Sequence, residues 1–183
     1  MSTKKMWLRD LLPPKTPFQQ SRIMTFGYNS TLVNRKSTER IRHWADELLK
    51  QACSVRTTPE ERCRPIIFVC HSLGGLVGRE AMIRLDRFTK QYKTLALRQC
   101  GLLFFSTPHM GTVQADWNTV LLSFAQMTIG IRSRDIIVHL QSFNSLAVDS
   151  MDAFSAMDRL PPFYCLVEGN KTKVAGTYRT VSL

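Results

Sequence analysis

No apolar run in the 183 residues approaches the roughly 20 needed to cross a bilayer. The opening MSTKKMWLRDLLPP also lacks a secretory hydrophobic region, because Arg9, Asp10 and the Pro13-Pro14 pair interrupt it, so an intracellular, uncleaved chain is expected. The five cysteines have no paired C-x-x-C spacing, which argues against both a zinc site and a disulfide framework. Cys70, Cys100 and Cys165 fall in or beside predicted buried strands and read as small, reduced core residues. Neither a metal nor a cofactor is expected. Acidic residues are scarce, 14 against 25 Lys and Arg, and the shortage is local: residues 1–98 carry 19 basic against 8 acidic side chains. Because no aromatic stacking set is interleaved with the basic residues, a nucleic-acid partner is not expected. A solvated basic surface and peripheral contact with an anionic membrane both fit. A hydrophobic content of 44% and a charged content of 21% are those of a globular chain, and the length suits one domain.

What is present is concentrated in residues 64–85, RPIIFVCHSLGGLVGREAMIRL. Ile66, Ile67, Phe68 and Val69 make a continuous apolar run after Pro65, the pattern of a strand buried on both faces of a parallel sheet. Cys70-His71-Ser72-Leu73-Gly74 must then reverse direction and enter a helix. A serine is a weak nucleophile at its free pKa, so it needs exposure, a base within reach and backbone N–H donors for a developing oxyanion. A sharp strand-to-helix turn supplies the exposure and sets Ser72 at a helix N-terminus, with the Leu73 N–H as one donor. The residues two before and two after the serine must be small: Gly74 meets that demand, and Cys70 stands where G-x-S-x-G has its first glycine. Leu73, Leu76, Val77 and Ala81 trace one helical face, and Gly75 with Gly78 would let that helix approach the sheet closely. The alternative is a buried strand-helix unit whose serine is only a cap.

Residues 22–28 read as another strand, closed by Gly27, and Ser37 can cap a helix. In that helix Ile41, Trp44, Ala45, Leu48, Leu49 and Ala52 recur at helical spacing, with His43 as a surface residue. Residues 54–64 form a charged connection. After the Gly75 helix a second, basic helical stretch is expected to about Leu97, then a continuous apolar strand from Gly101 to Ser106. Residues 113–158 contain only helix-like segments, which reads as a helical insertion, and Pro161-Pro162 introduces a strand at Phe163–Val167. Alternation of strand and helix predicts an α/β fold with a mostly parallel sheet and right-handed crossovers.

Three blocks of the chain resemble the lipase-like serine α/β-hydrolases: WLRDLLP leading to RIMTFGY, the HSLGG block, and GLLFFSTPHMG at residues 101–111. That group includes the serine-active-site-containing proteins of mitochondria and endoplasmic reticulum. The inositol deacylases of GPI anchors are more distant, and similar domains stand at the N-terminus of fungal NACHT or ankyrin-repeat NTPases. The resemblance implies a three-layer α/β/α sandwich of the α/β-hydrolase fold, forming one partial domain over 1–183 and truncated at both ends. It implies esterase chemistry on an ester or lipid, either in the cytoplasm or peripheral to a mitochondrial or endoplasmic reticulum membrane. It leaves the oligomeric state open.

In such folds the triad runs Ser, then Asp or Glu, then His. Glu168 stands at the end of a predicted strand with a glycine after it and is the candidate acid, a solvated loop carboxylate being the other reading. Of the four histidines, none follows Glu168. His71 sits beside the serine with its side chain directed away, and His109 ends the strand next to the nucleophile strand; both are expected to line the site. The base is then supplied by sequence beyond Leu183 or by His109, and a second oxyanion donor by sequence upstream of the Trp7 block. Two functions remain open: a serine esterase that forms an acyl-enzyme on Ser72, and a non-catalytic, hydrolase-like interaction or signalling module.

Overall fold

A computed structural model of the chain describes residues 6–28, 37–107, 148–166, 172–174 and 177–179. The elements in chain order are α1 (Trp7–Asp10), a 3₁₀ turn (Phe18–Gln20), α2 (Ser37–Ser54), α3 (Pro59–Cys63), β1 (Ile66–His71) and α4 (Leu73–Arg87). A second 3₁₀ turn (Leu97–Gln99), β2 (Cys100–Phe105), β3 (Phe163–Leu166), β4 (Thr172–Val174) and β5 (Thr177–Arg179) follow. Residues 148–155 are also helical. Strands β1, β2 and β3 form one parallel sheet in that order, with Phe68 beside Leu102 and Phe104 beside Cys165. Strands β4 and β5 form a separate antiparallel pair. The chain thus has an α/β fold with a parallel sheet.

One face of the sheet is built as its periodicity requires. Phe68 and Cys70 of β1 and Cys100, Leu102 and Phe104 of β2 are buried and share a face. Leu73, Leu76, Val77 and Ala81 of α4 cover that face, and Ile41, Trp44, Ala45, Leu49 and Ala52 of α2 join the same core. Each fully buried leucine contributes about 1.5–3 kcal/mol of transfer free energy. Phe154, from the helical residues 148–155, closes the far end against Phe163 at 5.9 Å between ring centroids.

Several expectations need correction. The β1 run is not buried on both sides: Ile67 is 64% exposed and Val69 49%, because no helix among the described residues covers the second face. Two layers of the expected three-layer sandwich are therefore described. Cys165 is exposed rather than in the core, since β3 pairs only with β2 among the described residues; none of the five cysteines forms a disulfide. Residues 22–28 form no strand. Arg22 instead ties that segment to the connection before β1, donating to Glu61 Oε1 at 2.8 Å and to the Val55 carbonyl at 3.1 Å. The basic stretch to Leu97 is not a second helix, because α4 stops at Arg87 and Tyr92 and Leu95 are drawn into the core. The 54–64 connection contains α3, whose Thr58 and Glu61 form a reciprocal capping box with Pro59 in the first turn, a signal legible in the sequence TPEE. Helix α2 starts at Ser37 itself. Of the expected insertion at 113–158, only residues from 148 onward are described.

Charged groups stitch the layers together. Asp46 of α2 accepts from Tyr92 Oη, from Gln91 Nε2 at 3.0 Å and from Arg84 Nη2 at 3.3 Å, and pairs with Lys50 at 2.7 Å. Burial opposes its ionisation, yet hydrogen bonds from Lys50 and Tyr92, the Lys50 charge and Arg84 outweigh that and hold the carboxyl down at about 2. Buried Arg56 is satisfied by the carbonyls of Thr94, Arg62 and Arg64 at 2.6–3.1 Å. Arg79 is different. It is 1% exposed, its Nη1 meets only Met151 Sδ at 2.9 Å, and Nε and Nη2 have no partner among the described residues. Burial pulls its pKa down to about 10, which still leaves a charge in the core at neutral pH.

Two expected outcomes follow from these groups. Arg79→Met removes an uncompensated buried charge while keeping an unbranched stem, and should raise the unfolding free energy by about 1–3 kcal/mol in a denaturant titration. Asp46 has a depressed pKa, so its stabilisation is complete above its ordinary value of 3.8 and disappears as the pH falls toward about 2. Over that window Asp46→Asn should flatten the acid loss of stability measured by denaturant midpoint.

Candidate active site

Strand β1 runs into α4 through a single residue, Ser72, whose backbone has φ 51° and ψ −122°. Residues with a Cβ rarely occupy that region, and holding one there costs about 1–3 kcal/mol, supported by the surrounding structure. The support is visible. Ser72 N–H extends the ladder by donating to the Phe105 carbonyl at 3.0 Å, and the Ser72 carbonyl accepts from Gly75 N–H at 2.9 Å. The fully buried Thr107 hydroxyl also approaches that carbonyl, at 3.4 Å. Ser72 makes no side-chain cap bond to the helix, so the cap-only reading of the serine does not describe this turn.

Glycines set the distance between helix and sheet. A Cβ on Gly75 would fall inside the Thr107 side chain, and one on Gly78 would lie 2.6 Å from Cys70 Sγ and 3.4 Å from Leu102 Cδ2. Gly74 carries less of this constraint than its place in the motif implies: a Cβ there meets only the Tyr28 hydroxyl, at 3.7 Å. Cys70 occupies the space Gly78 leaves, and burial pushes its thiol up to about 12, so it is a neutral packing group.

Ser72 and Leu73 therefore meet at the start of α4, where the Leu73 N–H precedes any intrahelical acceptor. Ser72 is only 5% exposed, which corrects the expectation of an exposed serine: the turn sets it among Thr107, Leu73 and the ladder to β2. His71 is exposed at the end of β1, in register with Phe105 and on the same face as Ile67 and Val69. His109 and Glu168 lie outside the described residues, although β2 and β3 end at the same edge of the parallel sheet as Ser72. Three neighbours were not singled out from sequence. Ser106, with φ 45°, is with Ser72 one of the two non-glycine residues of positive φ among the described residues, and it follows β2, the strand beside β1. Thr107 braces the turn, and Tyr28 reaches it from 46 positions earlier in the chain. No local pattern marks Thr107 or Tyr28. Among the described residues no group of three His, Cys, Asp or Glu side chains could hold a metal, and no helix is long and apolar enough to cross a membrane.

A strained serine at a strand-to-helix turn, with free amide donors at its side, can attack a carbonyl once a base takes its proton. A family model described as putative serine esterase (DUF676) matches residues 11–145. No curated protein and no solved structure matches the chain.

The steric reading of the turn has a direct check. Gly75→Ala should cost about 1–3 kcal/mol in denaturant unfolding, because Thr107 must move, whereas Gly74→Ala should be neutral or stabilising by up to about 1 kcal/mol.

Proposed function

The chain belongs to the putative serine esterase family DUF676, and from that premise we propose that Ser72 is the nucleophile of a carboxylic-ester hydrolase. The observation that carries the reading is the backbone of Ser72, held at φ 51° between a parallel strand and the first turn of α4. A glycine would adopt that conformation without strain, and the chain places a serine there instead.

In the reaction the Ser72 Oγ–carbon bond forms as its proton passes to a general base, and the carbonyl π pair moves onto oxygen. The Leu73 N–H receives that oxyanion, which collapses to expel the alcohol and leave an acyl-enzyme; water, activated by the same base, releases the acid. The base comes from beyond the described residues. His43 lies exposed on α2 and His71 exposed at the end of β1. We assign His71 and His109 to lining the site and Glu168 to orienting the base. The basic character of residues 1–98 supports an ester carried by an anionic lipid, met at a membrane surface. The resemblance to the serine-active-site-containing proteins supports a mitochondrial or endoplasmic reticulum setting.

The low exposure of Ser72 supports a second reading, a hydrolase-like module that binds a partner without turnover. A fluorophosphonate probe separates the two. Wild-type protein should form an adduct that Ser72→Ala loses, and the same substitution should lower ester hydrolysis by roughly 10⁴-fold or more. An adduct that survives Ser72→Ala, or no adduct at all, would refute the esterase reading.

A further inference from the structure

Tyr28 brings a polar hydrogen to the nucleophile turn from a part of the chain that shares no element with it. Its hydroxyl is the nearest atom to the position a Cβ would take on Gly74, at 3.7 Å, and Gly74 is the residue immediately after the Leu73 oxyanion donor. The ring is fixed on two sides: Trp44 of α2 lies 4.6 Å away between centroids at 35°, and Phe26 lies 5.8 Å away at 34°. A ring clamped in this way holds Oη in place, and only the hydroxyl hydrogen remains to rotate. Among the described residues that hydroxyl has no hydrogen-bond partner.

The chemical state of the group narrows what it can do. Burial, with a smaller contribution from Cys70, pushes the phenol up to about 12, so near neutral pH it keeps its proton. It is then neither a base for Ser72 nor a nucleophile. It is a fixed donor beside a helix start that already directs amide hydrogens outward.

We propose that the Tyr28 hydroxyl is a second oxyanion donor for the Ser72 reaction, acting with the Leu73 N–H. This assignment rests on the esterase reading. As the Ser72 Oγ–carbon bond forms, the carbonyl oxygen gains the π pair and accepts hydrogen bonds from Leu73 and Tyr28. The phenol keeps its proton throughout, and the Ser72 proton travels through the base to the departing alkoxide. The preference is for compounds whose carbonyl or phosphonyl oxygen becomes more negative on attack, which is the chemistry shared by carboxylic esters and fluorophosphonates. Trp44 and Phe26 are positioning residues, acting through the Tyr28 ring.

Tyr28→Phe keeps the ring between Trp44 and Phe26 and removes only the donor. It should slow fluorophosphonate labelling of Ser72 roughly 10²-fold, and lower kcat for a soluble ester by a similar factor with little change in KM, at an unchanged thermal midpoint. Wild-type rates in this variant would overturn the assignment alone. Absence of a Ser72-dependent adduct in the wild type overturns the esterase reading and takes the assignment with it. Should Tyr28→Phe fail to fold, replacement by 3-fluorotyrosine retains both ring and hydroxyl but ionises at lower pH. Its labelling rate should then acquire a falling alkaline limb absent from the wild type, and a superimposable pH profile would overturn the assignment.

Discussion

The close approach of α4 to the β1–β2 sheet is the constraint on which the described structure depends. Two glycines permit it, Gly75 against Thr107 and Gly78 against Cys70, and neither position has room for a methyl group. With the helix held that near, the chain has one residue in which to turn from strand to helix. Ser72 absorbs the whole change at positive φ, and bonds from its own N–H and carbonyl to neighbouring strand and helix keep it there. The conformation at the turn is thus a consequence of packing one to two turns further along the helix. Strain at the serine is sustained because relaxing it would pull α4 off a face that buries Leu76, Val77 and Ala81.

A second set of contacts keeps α2 and α4 in register. Asp46 gathers Lys50, Arg84, Gln91 and Tyr92, so that one carboxylate on α2 fixes both α4 and the turn that follows it. Through Trp44, two residues before Asp46, the same helix holds the Tyr28 ring, whose hydroxyl lies near Gly74. Arg79 runs counter to this economy. It is enclosed between α4 and the helical residues 148–155, meeting a thioether in place of a carboxylate. The contrast with Arg56, whose donors reach three carbonyls, shows that burial of a guanidinium in this fold does not by itself ensure that it is satisfied.

Much of this was legible in sequence where spacing alone sets geometry. The buried face of α2 follows from the recurrence of Ile41, Trp44, Ala45, Leu49 and Ala52, and that of α4 from Leu73, Leu76, Val77 and Ala81. The position of the serine followed from an apolar run ending in His-Ser-Leu-Gly-Gly. Other expectations failed for identifiable reasons. An apolar run such as Ile66–Val69 has the same composition whether one face or two are covered, so the exposure of Ile67 and Val69 could not be read from it. Residues 22–28 have strand-like composition, but a strand needs a partner, and the Arg22 contacts to Glu61 and Val55 hold the segment elsewhere. Cys165 followed a strand pattern correctly and still lies exposed, because the burial of a strand depends on its place in the sheet order.

By itself the sequence determined the α/β alternation, the amphipathic faces of α2 and α4, and the single residue at which strand becomes helix. Each of these is set by side-chain period and by local backbone sterics, which act within a few residues. Only the tertiary structure decided that Gly75 and Gly78, more than Gly74, are the positions without room, that Thr107 braces the serine, and that the Tyr28 hydroxyl lies near Gly74. Those facts come from contacts between residues of different elements, whose distances are fixed when helix and sheet close on a shared core and carry no trace in local spacing.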